Sequence, residues 1–162
     1  MTNIFKVVLV LGCASIVWAV QKDQVAVPAE QQQAIEKAIL RVHEAMKKAA
    51  ESLDVDALYD FVLDTDKGVI VEDGRLRRTR KEALDSTRQG FQGITDLSYT
   101  YNQKHITVIS PTVALWVGEG TSSATLDDGR KLSAPFAETI IFVQRDGQWK
   151  VLHAHRSAPN PR

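Results

Sequence analysis

Cysteine is almost absent from this sequence, and neither sign of charge is in excess. The 162 residues include one cysteine, Cys13, and 20 Lys and Arg against 20 Asp and Glu. A single cysteine excludes an intrachain disulfide and a metal site built from several thiolates. The balanced charge gives no electrostatic reason to expect a nucleic-acid partner or an anionic membrane surface. Neither a repeat nor a low-complexity segment is present.

The composition that remains is that of an ordinary globular domain. Hydrophobic residues make up 44% and charged residues 25% of the chain, which is typical of soluble proteins. The length corresponds to about one domain. A chain of this size can bury a sufficient apolar core without disulfides or a structural metal.

The longest apolar run lies near the N-terminus, from Val7 to Val20. It is short for a membrane span but suits the hydrophobic part of a signal peptide. We therefore predict a signal peptide over residues 1–19, cleaved after Ala19, with export to the periplasm or the medium and no membrane association afterwards. The Val10-Leu11-Gly12-Cys13 segment leaves a lipoprotein acylated at Cys13 as the alternative.

Three helices are predicted in the first half of the chain, after a short polar tether over residues 20–30. Apolar residues recur at three- and four-residue spacing from Gln31 to Leu53, which indicates one long amphipathic helix. Asp54 is positioned to cap a short second helix. The Thr79-Arg80-Lys81-Glu82 segment is a capping box that opens a third helix.

The pattern changes from helical to alternating after Gly93, which predicts strands. A small hairpin is also predicted earlier, around Gly74. The four long predicted strands are Leu97–Ile109, Thr112–Ala124, Arg130–Gln144 and Trp149–Ser157. Helices followed by a meander predict an α+β domain over residues 31–162, with a long N-terminal helix and two shorter ones on one face of a curved antiparallel sheet.

The C-terminal residues, from Asp146 to Pro159, carry the most specific motif. An Asp-Gly-Gln-Trp turn leads into a strand that ends His-Ala-His-Arg-Ser-Ala-Pro. This resembles the last hairpin of the SnoaL-like, nuclear transport factor 2-like superfamily, and most closely the association domain of calcium/calmodulin-dependent protein kinase II and its bacterial relatives. The resemblance implies a cone-shaped sheet around a cavity, commonly assembled as a homodimer or larger ring. Isomerases, dehydratases, polyketide cyclases and non-enzymatic binders share that scaffold.

The sequence departs from the association-domain pattern in one respect that concerns the cavity. A second arginine follows the Glu-Thr of the penultimate strand in that branch, whereas Ile140 follows Glu138-Thr139 here. Only Arg156 carries over, so a two-arginine clamp for a carboxylate is not expected.

Glu138 and Arg156 are the pair that we expect in the cavity. A partly buried guanidinium holds a carboxylate or another planar anion through two hydrogen bonds; alternatively, Arg156 only neutralises Glu138. The register of the last hairpin decides their relation. A two-residue loop at Asp146-Gly147 places Glu138 opposite His155, whereas a three-residue loop places it opposite Ala154, on the face of Arg156. The resemblance favours the second register.

His153 and His155 share a strand face and, with Glu138, have the composition of a two-histidine, one-carboxylate metal site. With no third sequence signal, framework histidines are the simpler interpretation and no metal or cofactor is predicted. Glu138 and His105 are the candidates for acid–base catalysis. A β-bulge before Ile106 would separate His105 from the tyrosines that precede it. Further candidates for ligand contact or acid–base chemistry are His155, Tyr59, Tyr99, Tyr101, Trp116, Asp64 and Glu119.

Three functions remain open at this point. The first is an exported, non-enzymatic cavity protein that binds a small organic molecule, with a carboxylate-bearing molecule as one candidate. The second is a cofactor-independent isomerase or lyase that moves a proton on a hydrophobic substrate. The third is an oligomeric protein-protein scaffold. Fold resemblance alone does not distinguish them.

Overall fold

Three helices and six strands make up the part of the chain that the structure, a computed structural model, describes: residues 27–72 and 74–159. The predicted signal peptide, Cys13 and most of the predicted tether lie outside these residues. The helices are α1 (Ala29–Glu51), α2 (Val55–Tyr59) and α3 (Arg80–Gly90). The strands are β1 (Ile70–Glu72), β2 (Arg75–Arg77), β3 (Ile94–Ser110), β4 (Val113–Leu126), β5 (Lys131–Arg145) and β6 (Gln148–Ser157).

The helix ends follow from side-chain caps that the sequence contains. Asp54 accepts a hydrogen bond from the backbone N–H of Ala57 at the start of α2. Thr79 accepts one from the N–H of Glu82 at the start of α3, and the Glu82 carboxylate accepts one from the N–H of Arg78. These bonds satisfy N–H groups that a helix cannot satisfy itself. Both predicted caps are thus confirmed, and α1 starts and ends two residues earlier than predicted.

The six strands form one sheet in the order β2-β1-β6-β5-β4-β3. All neighbours are antiparallel except β1 and β6, which run parallel with Ile70 beside Ala154 and Glu72 beside Arg156. The four long strands are the predicted meander. The early hairpin extends the same sheet through its contact with the last strand, a connection that no local pattern reveals. The α+β class with helices on one face is confirmed.

The register shifts at four points along the described strands, three in β3 and one in β6, and two of these β-bulges position site residues. In β3 the register shifts between Tyr101 and Gln103, as the sequence suggested, so His105 faces away from the tyrosines. In β6 the register shifts at Leu152. Gly120 lies opposite Tyr101, where a Cβ atom would collide with the carbonyl oxygen of Thr100. A bulge leaves one residue unpaired and turns the following residues to the other face.

The core lies between α1 and the inner face of the sheet. Its largest fully buried side chains are Trp116, Tyr59, Phe142, Ile39, Val69 and Val151. Toward the wider end of this layer the packing opens into a cavity. Among the residues described, no helix combines the length and the apolar character that a membrane span requires.

Candidate functional site

A cavity of about 820 Å³ lies between the helices and the inner face of the sheet. Its volume is in the range of sites that take drug-sized molecules. Apolar side chains form much of its wall, including Leu58, Val62, Ile70, Ile140, Val151 and Ala154. The ionisable side chains that also line it are His43, Lys47, Tyr59, Glu72, Arg77, Tyr99, Tyr101, Glu138 and Arg156.

Glu138 is the centre of a hydrogen-bonded group in this cavity. Its Oε1 accepts a hydrogen bond from the Tyr101 hydroxyl at 2.6 Å and lies 3.1 Å from Nε2 of His43. Burial acts to raise the pKa of Glu138, but the contacts with His43 and Tyr101 and the charge of Arg156 outweigh it, so the pKa lies below its ordinary value. The carboxyl group is therefore ionised at neutral pH.

Tyr101 reaches Glu138 across a strand that carries no side chain at that point. Tyr101 belongs to β3 and Glu138 to β5, and Gly118 of β4 lies directly opposite Glu138. A Cβ atom on Gly118 would lie 3.2 Å from the Tyr101 ring. The glycine thus leaves the space in which the ring lies. Burial and the adjacent Glu138 charge both raise the pKa of Tyr101, which stays protonated and donates its hydrogen bond.

His43 is a site residue that the sequence analysis missed. Its side chain projects from α1 and is only 4% exposed. The imidazole stacks on the indole of Trp116 with 3.7 Å between ring centroids, and contacts the edge of Tyr101. The available signal was its position: His43 falls on the apolar stripe of α1, four residues after Ile39. A polar residue on a buried helix face needs a partner, and Glu138 supplies it.

Arg156 lies in the cavity wall between Glu72 and Glu138 on the neighbouring strands. Its guanidinium carbon lies 4.3 Å from the Phe136 ring centroid and 4.7 Å from that of Tyr99, and Nη1 donates a 3.3 Å hydrogen bond to the Tyr99 hydroxyl. Within the described residues no ion pair of 4 Å or less involves Arg156. Burial acts to lower its pKa, but Tyr99 and Glu138 outweigh that effect and the pKa is raised. Arg156 is a permanent cation.

The observed hairpin register differs from both of those that were predicted. The loop has two residues, with Arg145 paired to Gln148, yet Glu138 lies opposite Arg156 rather than His155. The reason is the bulge at Leu152, which shifts all later pairs by one residue. Glu138 and Arg156 do share a face, but their charged atoms are not within ion-pair distance, since Glu138 contacts His43 and Tyr101 instead.

A second polar group lies where α2, α3 and the β1–β2 hairpin meet the cavity. The Tyr59 hydroxyl is 2.7 Å from the Thr87 hydroxyl, and burial raises the pKa of Tyr59 to about 12. Glu72 and Arg77 line the same part of the cavity. Neither side chain has a hydrogen-bond partner among the described residues, and Nε of Arg77 is buried.

Several predicted site residues lie outside the cavity. His105 is exposed opposite Val117, and His155 lies opposite Thr139, both on the outer face of the sheet. His153, on that face too, contacts the carbonyl oxygen of Gly68 at 3.1 Å. Trp116 is fully buried beneath His43, and its Nε1 has no partner among the described residues. Glu119 and Asp64 are exposed. Over the described ranges, no three His, Asp, Glu or Cys side chains are close enough to hold a metal ion.

Solved structures with this fold come from several bacteria. An uncharacterized protein with a cystatin-like fold from Caulobacter vibrioides is 22% identical, with a TM-score of 0.64 over 78% of this chain and 90% of that one. A protein provisionally identified as a dehydratase of the nuclear transport factor 2-like family, from Streptomyces avermitilis, is 17% identical, with a TM-score of 0.70 over 80% and 99%. At these identities the likeness shows the fold alone.

A further similar structure bears on the C-terminal motif. A protein from Xanthomonas campestris, provisionally identified as a calcium/calmodulin-dependent protein kinase II association domain, is 16% identical, with a TM-score of 0.63 over 80% of this chain and 89% of that one. No curated protein sequence matches the chain. Residues 39–161, which hold nearly all of the cavity wall, match the SnoaL-like domain. The chain therefore belongs to the SnoaL-like domain family.

Proposed function

We propose that the cavity binds a small organic molecule with an apolar body and a carboxylate, and that Arg156 holds the carboxylate. The observation that carries this proposal is the guanidinium of Arg156, which lines the cavity without an anionic partner among the described residues. Glu138, the carboxylate opposite it in the sheet, is already bonded to His43 and Tyr101. The internal ion pair that would explain Arg156 without a ligand is not formed.

The surroundings of Arg156 favour a planar anion. A partly buried cation is stabilised by a partner that replaces its lost hydration. The guanidinium lies over the Phe136 and Tyr99 rings, and among the described residues its only hydrogen bond is from Nη1 to the Tyr99 hydroxyl, so other N–H groups remain for two hydrogen bonds to a carboxylate. The apolar wall of the cavity fits the remainder of such a molecule.

The test is native mass spectrometry of the protein purified from the cells that produce it. We expect a bound small molecule in the wild-type spectrum and its loss in Arg156→Gln. Arg145→Gln is the matched control, because Arg145 is an exposed strand arginine outside the cavity. A bound molecule that Arg156→Gln retains at wild-type occupancy would contradict the assignment of Arg156.

A second candidate function is cofactor-independent proton transfer of the isomerase or lyase kind. The group His43, Glu138 and Tyr101 favours it, because a carboxylate that orients an imidazole facing a cavity is a common arrangement for acid–base catalysis. The likeness to a protein provisionally identified as a dehydratase is in keeping with such chemistry. His43 would be the base, and Glu138 would position it.

Isotope exchange tests the second candidate. The molecule recovered from the cavity is incubated with the protein in deuterium oxide, and its mass is then measured by mass spectrometry. A gain of carbon-bound deuterium that His43→Gln abolishes supports proton transfer. The absence of exchange leaves binding as the function.

We also propose that the mature protein is exported, is a homodimer or larger homo-oligomer, and lies nearest the association-domain branch of its superfamily. The N-terminal apolar run supports export, and the His-Ala-His-Arg-Ser-Ala-Pro segment supports the branch. The N-terminal sequence of protein recovered from the periplasm or medium tests export. It begins at Val20 if the signal peptide is cleaved as predicted, and at an acylated Cys13 if the lipoprotein alternative holds.

A further inference from the structure

The part of the cavity wall formed by the β1–β2 hairpin has its own polar groups, which the binding of a carboxylate by Arg156 does not use. Glu72 and Arg77 both line the cavity. Arg77 lies opposite Ile70 in the hairpin, and Ile70 and Glu72 are two residues apart on one strand. All three side chains therefore share the inner face of the sheet.

Glu72 and Arg77 are close but do not form an ion pair. They are diagonal neighbours in an antiparallel pair, a relation that places such residues about 7–8 Å apart and within reach of long side chains. Among the described residues, neither side chain takes part in an ion pair of 4 Å or less or in a side-chain hydrogen bond. A buried N–H such as Nε of Arg77 costs free energy when it has no acceptor.

The polar side chains nearest to Glu72 and Arg77 make contacts with other residues. The Tyr59 hydroxyl, near both charges, is bonded to Thr87. Arg156 lies beside Glu72 in the parallel pair of β1 and β6, but its guanidinium stacks on Phe136 and Tyr99 on the other side. Glu72 is therefore left as a hydrogen-bond acceptor and Arg77 as a hydrogen-bond donor in the same part of the cavity wall.

We propose that this pair recognises a hydroxyl group on the ligand, so that the cavity takes a hydroxy-carboxylic acid with an apolar body between its two polar ends. A hydroxyl is the small neutral group that accepts from Arg77 and donates to Glu72 at once. A second carboxylate fits less well, because it accepts from Arg77 but has no hydrogen to donate to Glu72. This inference rests on the proposed role of Arg156 as the carboxylate site.

The sheet geometry sets the scale of the ligand. Arg77 and Arg156 lie two strands apart, and their positions along the strands differ by two residues. Ideal strand dimensions then put their Cα atoms about 12 Å apart. The wall between them includes the apolar Ile70 and Ala154, and Glu72 lies there too, on β1 beside Arg156. The probes are therefore straight-chain acids from hexanoate to dodecanoate, each compared with the same acid bearing a hydroxyl on its terminal carbon.

Isothermal titration calorimetry of the wild-type protein with both series is the decisive measurement. At the best chain length we expect the hydroxy acid to bind about tenfold more tightly than the plain acid, as hydrogen bonds to charged groups would give. In Arg77→Gln the ratio of the two affinities, hydroxy acid over plain acid, should fall to about threefold or less. Arg78→Gln, at the exposed arginine that follows Arg77 and does not line the cavity, should retain the full advantage.

The outcomes separate this inference from the proposed function. If both series bind, Arg156→Gln weakens both, and the hydroxyl gives no advantage at any length, the hydroxyl site is wrong and the carboxylate site stands. If neither series binds, both proposals are contradicted. The wild-type comparison does not depend on any variant, so poor folding of Arg77→Gln would leave the test intact.

Discussion

Glu138 shows how one residue is held ionised inside a mostly apolar layer. Its carboxylate accepts from Tyr101 and contacts His43, and these contacts hold its pKa below the ordinary value of a glutamate despite burial. A carboxyl group whose pKa is lower in the folded state than in the unfolded state stabilises the folded protein at pH values above the unfolded-state pKa. That stabilisation is lost as the pH falls through the folded-state pKa.

Glu138→Gln should therefore destabilise the protein at neutral pH more than at acid pH. We expect the free energy of unfolding to fall by about 1–3 kcal/mol at neutral pH, and the difference from wild type to shrink as the pH falls through the lowered pKa of the Glu138 carboxyl. Urea denaturation between neutral pH and about pH 3 measures it. Glu119→Gln, on the exposed face of β4, should differ little from wild type. A difference for Glu138→Gln that is constant with pH would contradict the ionised carboxylate.

Gly118 is important to the site because it has no side chain. A methyl group at this position would lie 3.1 Å from Nε1 of Trp116 and 3.2 Å from the Tyr101 ring. We expect Gly118→Ala to displace the ring, weaken its bond to Glu138 and lower the free energy of unfolding by about 1–3 kcal/mol. Urea denaturation checks this. Gly90→Ala, at a glycine with open space around it, should be neutral or slightly stabilising.

Some of the individual residues that line the cavity could be predicted from the sequence. Arg156, Glu138, Tyr59 and Tyr101 were expected in the cavity and do line it. His43 was missed, because a helix pattern marks a buried stripe but does not show which strand residues lie beneath it. Glu72 and Arg77 were missed because the hairpin's position beside β6 depends on a long-range contact.

Helix α1 is tied to the sheet by Glu51 at its last turn. The Glu51 carboxylate accepts a 2.8 Å hydrogen bond from the backbone N–H of Tyr99, on the edge strand β3. An edge strand presents N–H groups that its single neighbour cannot satisfy. The same carboxylate pairs with Lys47 at 3.1 Å. The contact therefore fixes the helix beside the strand that supplies Tyr99 and Tyr101.

Glu51→Ala should lower the free energy of unfolding by about 1–2 kcal/mol, because the Tyr99 N–H loses a charged acceptor. The matched control is Glu44→Ala on the same helix. Glu44 is exposed, and its carboxylate forms a longer ion pair with Lys47, at 3.6 Å. It should change stability by less than about 0.5 kcal/mol. Equal effects of the two substitutions in urea denaturation would show that the bond to Tyr99 contributes nothing.

Element types could be predicted from the sequence, whereas the pairing between them could not. The period change after Gly93, the caps at Asp54 and Thr79 and the turn glycines are local signals, and the elements they predict are present. The bulge at Leu152 leaves no such signal. It arises where Phe142 and Val151 pack together in the core while His153 stays on the outer face, so it depends on the whole sheet.

The outer face of the sheet carries apolar side chains that no described helix covers. Val117 is 40% exposed, Ile109 50% and Leu152 37%. Three such residues on one sheet face fit the proposed homo-oligomer, whose contact would bury them.

Val117→Lys should shift the protein toward the monomer, because the substitution places a charge on that face. Sedimentation velocity over a range of protein concentrations measures the change. Leu40→Lys, at an exposed apolar residue of α1, is the control and should leave the oligomer intact. A wild-type protein that sediments as a monomer at all concentrations would contradict the proposal.

The parallel contact of β1 with β6 bears on the order in which the molecule assembles. Residues 70–72 find their neighbours at 154–156, so the hairpin has no place in the sheet until those residues have been synthesised. Contacts so distant in sequence slow folding, since a long loop must close first. A nascent chain that lacks β6 therefore has no closed cavity, and the proposed ligand can be captured only after that strand has joined the sheet.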